Sequence, residues 1–193
     1  MISAIILAAG ESKRMGQPKL LLPWKKTTVL GQVISVLRSA GMEDIVTVTG
    51  GFREQVEAVA NQLGSRVVFN AEYARNEMLD SIQYGLRALT AEAEAALICL
   101  GDQPQVQERN VRMVRETFEN GKSRLVVPSY QMRRGHPWLA ARPLWEEILM
   151  MKSPQSPRDF LHVHSKEIEY VDVDNPSILQ DLDTPEDYLR FKP

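Results

Sequence analysis

Residues 7–24 read LAAGESKRMGQPKLLLPW, a loop with Gly10 and Gly16 that also carries Arg14 and, just beyond, Lys19. The two glycines let the backbone double back and bring its N–H groups close to an anion. Arg14 offers a planar fork for phosphate oxygens and Lys19 a compact point charge. Amides and two cations together form a cradle for a polyphosphate, with a triphosphate as the natural guest. The spacing excludes two common cradles. Gly10 and Gly16 stand too far apart for the Walker pattern and Gln17 follows the second glycine, while the dinucleotide fingerprint Gly-x-Gly-x-x-Gly is absent. A solvated loop charged only for solubility would leave the return to Leu20–Leu22 unexplained.

Carboxylates form the second set. Asp102 sits in Gly101-Asp102-Gln103-Pro104, directly after the most apolar run of the chain, AALICL. At a strand end it could hold Mg²⁺ against a triphosphate, because Mg²⁺ takes one or two carboxylates alongside waters and phosphate oxygens. Capping the next turn is an equally ordinary use of an Asp there. QDLDTPEDY brings Asp181, Asp183, Glu186 and Asp187 together. In that stretch Asp183 or Thr184 can cap a helix opened by Pro185, and Glu186 and Asp187 suit its first turn. A third stretch, RRGHPW, contains Arg133, Arg134, Gly135, His136 and Pro137. His136 could bind a substrate or brace a hairpin, and the arginines could meet an acceptor phosphate or simply face water. His162 and His164 lack a nearby third metal ligand. Cys99, inside its apolar run, reads as a small buried hydrophobe.

These residues need a scaffold that gathers them. Short apolar runs alternate with amphipathic stretches, the pattern of a largely parallel sheet covered by helices. Strands are expected at Ile2–Leu7, Asp44–Gly50, Arg66–Asn70, Ala95–Leu100, Arg124–Pro128 and Glu167–Asp174. Helices are expected at Val29–Ala40, Phe52–Leu63, from an Asp80 or Ser81 cap to Leu89, Val106–Glu119, Pro143–Met151, near Phe160, and Pro185–Phe191. SYQMRRGHPWLAARP, with its central glycine, reads as a β-hairpin or a strand added at the sheet edge. In open α/β sheets ligands bind outside the carboxyl ends of the strands. Thr49–Gly51, Asp102 and the opening loop all fall there.

The chain has 193 residues, 44% hydrophobic, with a net charge of −2 and a single cysteine. Such a length fits one α/β domain over residues 1–193. The balanced charge favours neither nucleic acid nor an anionic membrane surface. One cysteine excludes a disulfide framework, and the opening apolar run is too short to span a bilayer, so the expected location is cytoplasmic.

The opening stretch resembles the signature of the MobA-like nucleotidyltransferases, Leu-Ala-Ala-Gly-x-Ser-x-Arg-Met-Gly-x-x-Lys-Leu, matched at every fixed position from Leu7 to Leu20. It is most similar to the molybdenum cofactor cytidylyltransferase branch, and a related purine-catabolism branch serving molybdenum hydroxylases is equally compatible. The resemblance implies a Rossmann-like fold, mostly parallel with helices on both faces, of the nucleotide-diphospho-sugar transferase kind. It implies a nucleotide site at Leu7, Ala8, Ala9, Gly10, Ser12, Arg14, Met15, Gly16, Lys19, Gly51, Ser81 and Asp102, with Arg14 and Lys19 on the phosphates. Gly-Asp-x-Pro is the family's metal motif, and Asp-x-Asp-Thr-Pro-Glu-Asp supplies a second carboxylate. Asp102, Asp183 and then Asp181 are therefore the expected ligands of Mg²⁺, or of Mn²⁺ in its place. Ala9 and Pro18 stand where the guanylyltransferase branch typically has Gly and Asp, which favours CTP over GTP.

Gly135, His136 and Pro137 match the Gly-x-x-Gly-His-Pro of the cytidylyltransferase branch, without its first glycine, and mark the expected acceptor side together with Arg134. Near Ser156–Arg158 the family's glycines are missing. The expectation is transfer of CMP from CTP to a molybdopterin-type cofactor, with pyrophosphate released and a molybdenum hydroxylase as eventual recipient. Alternatives are a sugar phosphate or methylerythritol phosphate as acceptor, GTP as donor, or a non-catalytic chaperone for the cofactor.

Overall fold

The structure, a computed structural model, describes residues 1–75 and 77–193. It begins with β1 (Ile2–Ala8), the small antiparallel pair β2 (Pro23–Trp24) and β3 (Thr27–Thr28), then α1 (Val29–Ser39), β4 (Asp44–Thr49), α2 (Arg53–Gln62) and β5 (Arg66–Phe69). Next come α3 (Met78–Arg87), β6 (Ala95–Leu100), α4 (Glu108–Asn120), β7 (Leu125–Tyr130), β8 (Arg133–Arg134) and β9 (Trp138–Ala141). The chain closes with α5 (Trp145–Met150), α6 (Pro157–Val163), β10 (Ile168–Asp172) and α7 (Pro185–Phe191).

The main sheet runs β10-β7-β9-β6-β1-β4-β5, with β8 paired to β7. β1 is central and parallel to both neighbours, Ile5 lying opposite Val46 on β4 and Ile98 on β6. Its side chains alternate between two apolar layers. Ala4, Ile6 and Ala8 pack with Leu30, Ile34 and Leu37 of α1, Val56 of α2 and Val111 of α4. Ile5 faces the other way, toward Leu79, Ile82 and Leu86 of α3, Ile148 of α5 and Phe160 of α6. Helices thus cover both faces, and a strand buried on both sides has no reason to alternate with polar residues. Among the described residues, no helix is long and apolar enough to cross a membrane.

Three local expectations are corrected. WLAA is not an edge strand: β9 lies antiparallel between β6 and β7, and all four of its residues are buried. Its unbroken apolar character suits that central position. The hairpin that joins β7 to β8 turns at Gln131 and Met132, both left-handed (φ 48° and 64°), not at Gly135. Gly135 serves close packing instead, since a Cβ there would lie 2.4 Å from the Ile178 carbonyl oxygen. Finally, α3 starts at Met78 with Glu77 in the capping position, so neither Asp80 nor Ser81 caps it. Ser81 is buried within the helix, where its hydroxyl accepts from Asn70 Nδ2 at 3.1 Å.

Candidate active site

β1 delivers the opening loop to the carboxyl edge of the sheet. Ser12, itself left-handed (φ 53°), organises that loop: its carbonyl accepts from the N–H of Met15 at 3.0 Å and of Gly16 at 3.1 Å, and its hydroxyl from the Lys19 N–H at 3.2 Å. Gly16 follows with φ +72°. A short helical turn, Lys19–Leu21, then buries Leu20 and holds Lys19 at the mouth of the sheet. This answers why leucines follow the loop: they anchor it. From the neighbouring strand end, Gly51 donates its N–H to the Ala9 carbonyl at 3.0 Å. Gly51 lies so close that an added Cβ would sit 2.9 Å from the Gly10 oxygen.

The strand-end acid and the C-terminal segment meet the loop there. Lys19 Nζ lies 2.5 Å from Asp102 Oδ2 and 3.2 Å from Asp183 Oδ1, while Arg14 Nη1 lies 2.9 Å from Asp183 Oδ2. The C-terminal segment is pinned by Leu182, fully buried, whose N–H donates to the Asp102 carbonyl at 3.1 Å. Thr184 caps α7 in a reciprocal box with Asp187, whose Oδ2 also accepts from the Asp183 N–H at 3.2 Å. Asp187 therefore steadies Asp183, and the Thr184 hydroxyl holds the Asp187 carboxyl below the usual range. Asp181 accepts from Gln103 Nε2 at 2.6 Å.

The electrostatics follow from this packing. Partial burial disfavours the charge on Lys19, but the carboxylates of Asp102 and Asp183 together outweigh it and the ammonium is held above its ordinary pKa. Asp181 is pushed up, first by desolvation and then by the charge of Asp102, with the Gln103 hydrogen bond acting in the opposite sense.

Between these groups and α3 lies a cleft of roughly 940 Å³ open to solvent. Leu7, Ala8, Ala9, Gly10, Arg14, Lys19, Ser81, Asp102, Asp181 and Asp183 all line it. Ser12, Gly16 and Gly51 do not line it; Ser12 and Gly51 hold the loop through the hydrogen bonds given above. Met15 points away into the core, 4% exposed, because its apolar side chain packs under the loop. Tyr73, Glu77 and Met78 line the cleft without having been picked out from the sequence. The usable signal for them was position, since they follow the carboxyl end of β5 on the ligand-binding edge.

The RRGHPW group lies outside the cleft lining. Arg134 donates to the Tyr170 hydroxyl at 2.9 Å and to the Leu161 carbonyl at 3.1 Å, which ties the hairpin to β10 and α6. His136 donates its N–H to Ile178 O at 3.0 Å. Burial, and then the charge of Arg158, push its imidazole down to about 4. Pro137 borders a separate apolar crevice with Val33 and Cys99. His164 is committed to Glu147 at 2.9 Å and Glu167 at 3.0 Å. Burial pushes the Cys99 thiol up, as for an inert core residue.

The donor set fits a hard dication. Two carboxylates converge on a single cation, which in this structure is the chain's own ammonium at Lys19. All-oxygen donors with room for phosphate oxygens suit Mg²⁺ or Mn²⁺. Among the described residues, no three acids or histidines stand close enough to form a ready-made cage. Waters or substrate oxygens would have to complete the coordination.

A family model described as the MobA-like NTP transferase domain matches residues 4–168. The chain is 29% identical to molybdenum cofactor cytidylyltransferase of Escherichia coli (strain K12), over 99% of this chain and 95% of that protein. It is also 27% identical to nicotine blue oxidoreductase of Paenarthrobacter nicotinovorans, over 98% and 96%. Among solved structures, Rv0371c from Mycobacterium tuberculosis H37Rv superimposes with a TM-score of 0.86 at 30% identity, covering 98% of this chain and 96% of that one. The same mycobacterial protein has been crystallised in complex with manganese, and that structure matches with a TM-score of 0.83.

Proposed function

The chain belongs to the MobA-like NTP transferase family and is a nucleotidyltransferase, and we propose that it transfers CMP from CTP to a molybdopterin-type cofactor with release of pyrophosphate. One observation carries this reading: Arg14, Lys19, Asp102 and Asp183 come from three distant parts of the chain and meet at one end of the cleft. That cluster suits a metal-bound triphosphate, and Ala8–Gly10 and Ser81, which line the same cleft, suit the nucleoside. The E. coli relative and the residues Ala9 and Pro18 support CTP as donor. The manganese complex of the mycobacterial relative supports a divalent metal, for which Mg²⁺ is the expected physiological choice.

Asp102 and Asp183 would hold the ion, with Asp181 beside them. When bound, it would neutralise phosphate charge and help the pyrophosphate to leave. The chain's own groups do the remaining work. Arg14 and Lys19 move from carboxylates to phosphate oxygens and stabilise the charge that develops on the leaving pyrophosphate. The Gly10 and Ser12 turn presents main-chain amides to the same phosphates. An acceptor phosphate is already ionised and needs no general base, so positioning and charge compensation account for the barrier that must be lowered.

The family match ends at residue 168, yet Asp181 and Asp183 complete the site, which supports residues 1–193 acting as one unit. The acceptor would approach from the Gly135–Pro137 side, with a molybdenum hydroxylase as eventual recipient. Measuring pyrophosphate release for each of CTP, GTP, ATP and UTP against a molybdopterin-type cofactor, a sugar phosphate and methylerythritol phosphate tests the reading. Turnover with CTP and the cofactor is expected. Activity confined to a sugar phosphate would overturn the acceptor, and a preference for GTP would overturn the donor.

A further inference from the structure

Gln103 lies between Asp102 and Pro104 and has no part in the reading above. It is 3% exposed. Its Nε2 donates to Asp181 Oδ1 at 2.6 Å and points toward Ile178 O at 3.4 Å. Both neighbours of that nitrogen are acceptors, so the amide can face them only with its N–H₂ group. Its Oε1 is buried with no hydrogen-bond partner among the described residues. A buried side chain that leaves one of its own acceptors unsatisfied to keep its donor on a carboxylate calls for an explanation.

The surroundings supply one. Asp102 and Asp183 are both paired with cations of the chain, Lys19 and Arg14. Asp181 has no cationic partner among the described residues; its side-chain contact is the neutral amide of Gln103. A lysine or arginine at position 103 would orient Asp181 but also compensate its charge, and a glutamate would repel it. Glutamine orients the carboxylate without forming an ion pair with it. The Ile178 carbonyl that Gln103 faces is also the acceptor of the His136 N–H at 3.0 Å, so the amide sits where the Asp102 turn, the C-terminal segment and the hairpin meet.

We propose that Gln103 is a positioning residue that holds Asp181 as a carboxylate with no ion-pair partner of its own, available to the divalent metal. The proposal rests on the metal-dependent reading given above. Outer-shell groups that orient metal ligands commonly change metal affinity by about 10- to 100-fold when removed.

The test uses the full chain without nucleotide, titrated with Mn²⁺ while free Mn²⁺ is followed by electron paramagnetic resonance. The variants are Gln103→Met, which keeps the length but removes the donor, Gln103→Asn, which keeps the amide but falls short of Asp181, Asp181→Asn, and the Gln103→Met/Asp181→Asn pair. Each single variant is expected to weaken Mn²⁺ binding by about tenfold, and the pair should be no weaker than Asp181→Asn alone. In turnover, Gln103→Met should raise the apparent Mg²⁺ constant by more than it lowers kcat, a split that general loosening of the fold would not produce. Should the methionine variant fail to fold, the asparagine variant carries the comparison. Parental Mn²⁺ affinity in both Gln103 variants, or losses that add in the pair, would overturn the positioning role and leave the nucleotidyl-transfer reading standing. A parent protein that binds no Mn²⁺, with or without CTP, would overturn both.

Discussion

Replacing Lys19 with methionine should separate metal binding from turnover in opposite directions. In this structure the ammonium stands where two carboxylates converge, 2.5 Å from Asp102 and 3.2 Å from Asp183. The Lys19 and Asp102 side chains are only 14% and 19% exposed, so water screens the pair weakly. A hydrogen bond to a charged group contributes about 1.5–3 kcal/mol net. A dication that approaches without nucleotide must break at least the Asp102 contact, because the phosphates that would receive the ammonium are missing. Methionine keeps similar length and removes that competitor. Mn²⁺ alone should then bind roughly 10- to 100-fold more tightly, the factor that corresponds to about 1.5–3 kcal/mol. Pyrophosphate release from CTP should instead fall by about 10²-fold or more, the scale of losing one preorganised charge stabiliser. Equilibrium dialysis with Mn²⁺ and a coupled pyrophosphate assay on the same preparation read both effects. Unchanged or weaker Mn²⁺ binding in Lys19→Met would refute the idea that the ammonium occupies the metal's place.

Asp102→Asn should lower turnover by about 10²-fold or more, measured as initial pyrophosphate release at saturating Mg²⁺ and CTP; near-parental rates would remove Asp102 from the site. Gly51→Ala would press a Cβ to 2.9 Å from the Gly10 oxygen, displace the phosphate loop and raise the KM for CTP, as read by initial rates, while leaving the melting temperature close to that of the parent. Gly135→Ala meets a backbone carbonyl at 2.4 Å and should destabilise the fold by about 1–3 kcal/mol, the usual cost of overpacking, as read by urea denaturation. At His164, burial opposes the charge, but the hydrogen bonds of Glu167 and Glu147 prevail and raise its pKa. Its stabilisation is therefore fully present below the unfolded value near pH 6.5 and is lost as the pH climbs through the higher folded value. The melting-temperature advantage of the parent over His164→Gln should be largest in acid and shrink toward pH 8.

What could be read from residues alone follows the range over which each signal acts. The parallel strands were legible because each is a short apolar run buried on both faces, and the place of Asp102 because such a run ends on the ligand-binding edge of the sheet. The place of β9 was not legible, since WLAA looks the same at an edge or in the centre until β6 and β7 are seen on either side. The turn at Gln131–Met132 lacks the Asn-Gly signal that left-handed hairpin turns favour, and the nearby Gly135 drew attention to the wrong position. The start of α3 was missed because Glu77, not Asp80 or Ser81, takes the capping position. In the site, Arg14, Lys19 and the strand-end acids announce themselves by charge. Met15 matches the motif yet packs inward, because a signature does not say which way a side chain points. Gln103 carried no meaning until its partner, 78 residues further along the chain, came within 2.6 Å.

The most direct test of the central claim is a crystal structure with CTP and Mn²⁺, in which the anomalous signal of manganese locates the ion. A single strong peak coordinated by Asp102 and Asp183, with Lys19 and Arg14 moved onto the triphosphate, is the expected result. A peak remote from Asp102, or a triphosphate bound while Lys19 still holds that carboxylate, would contradict it.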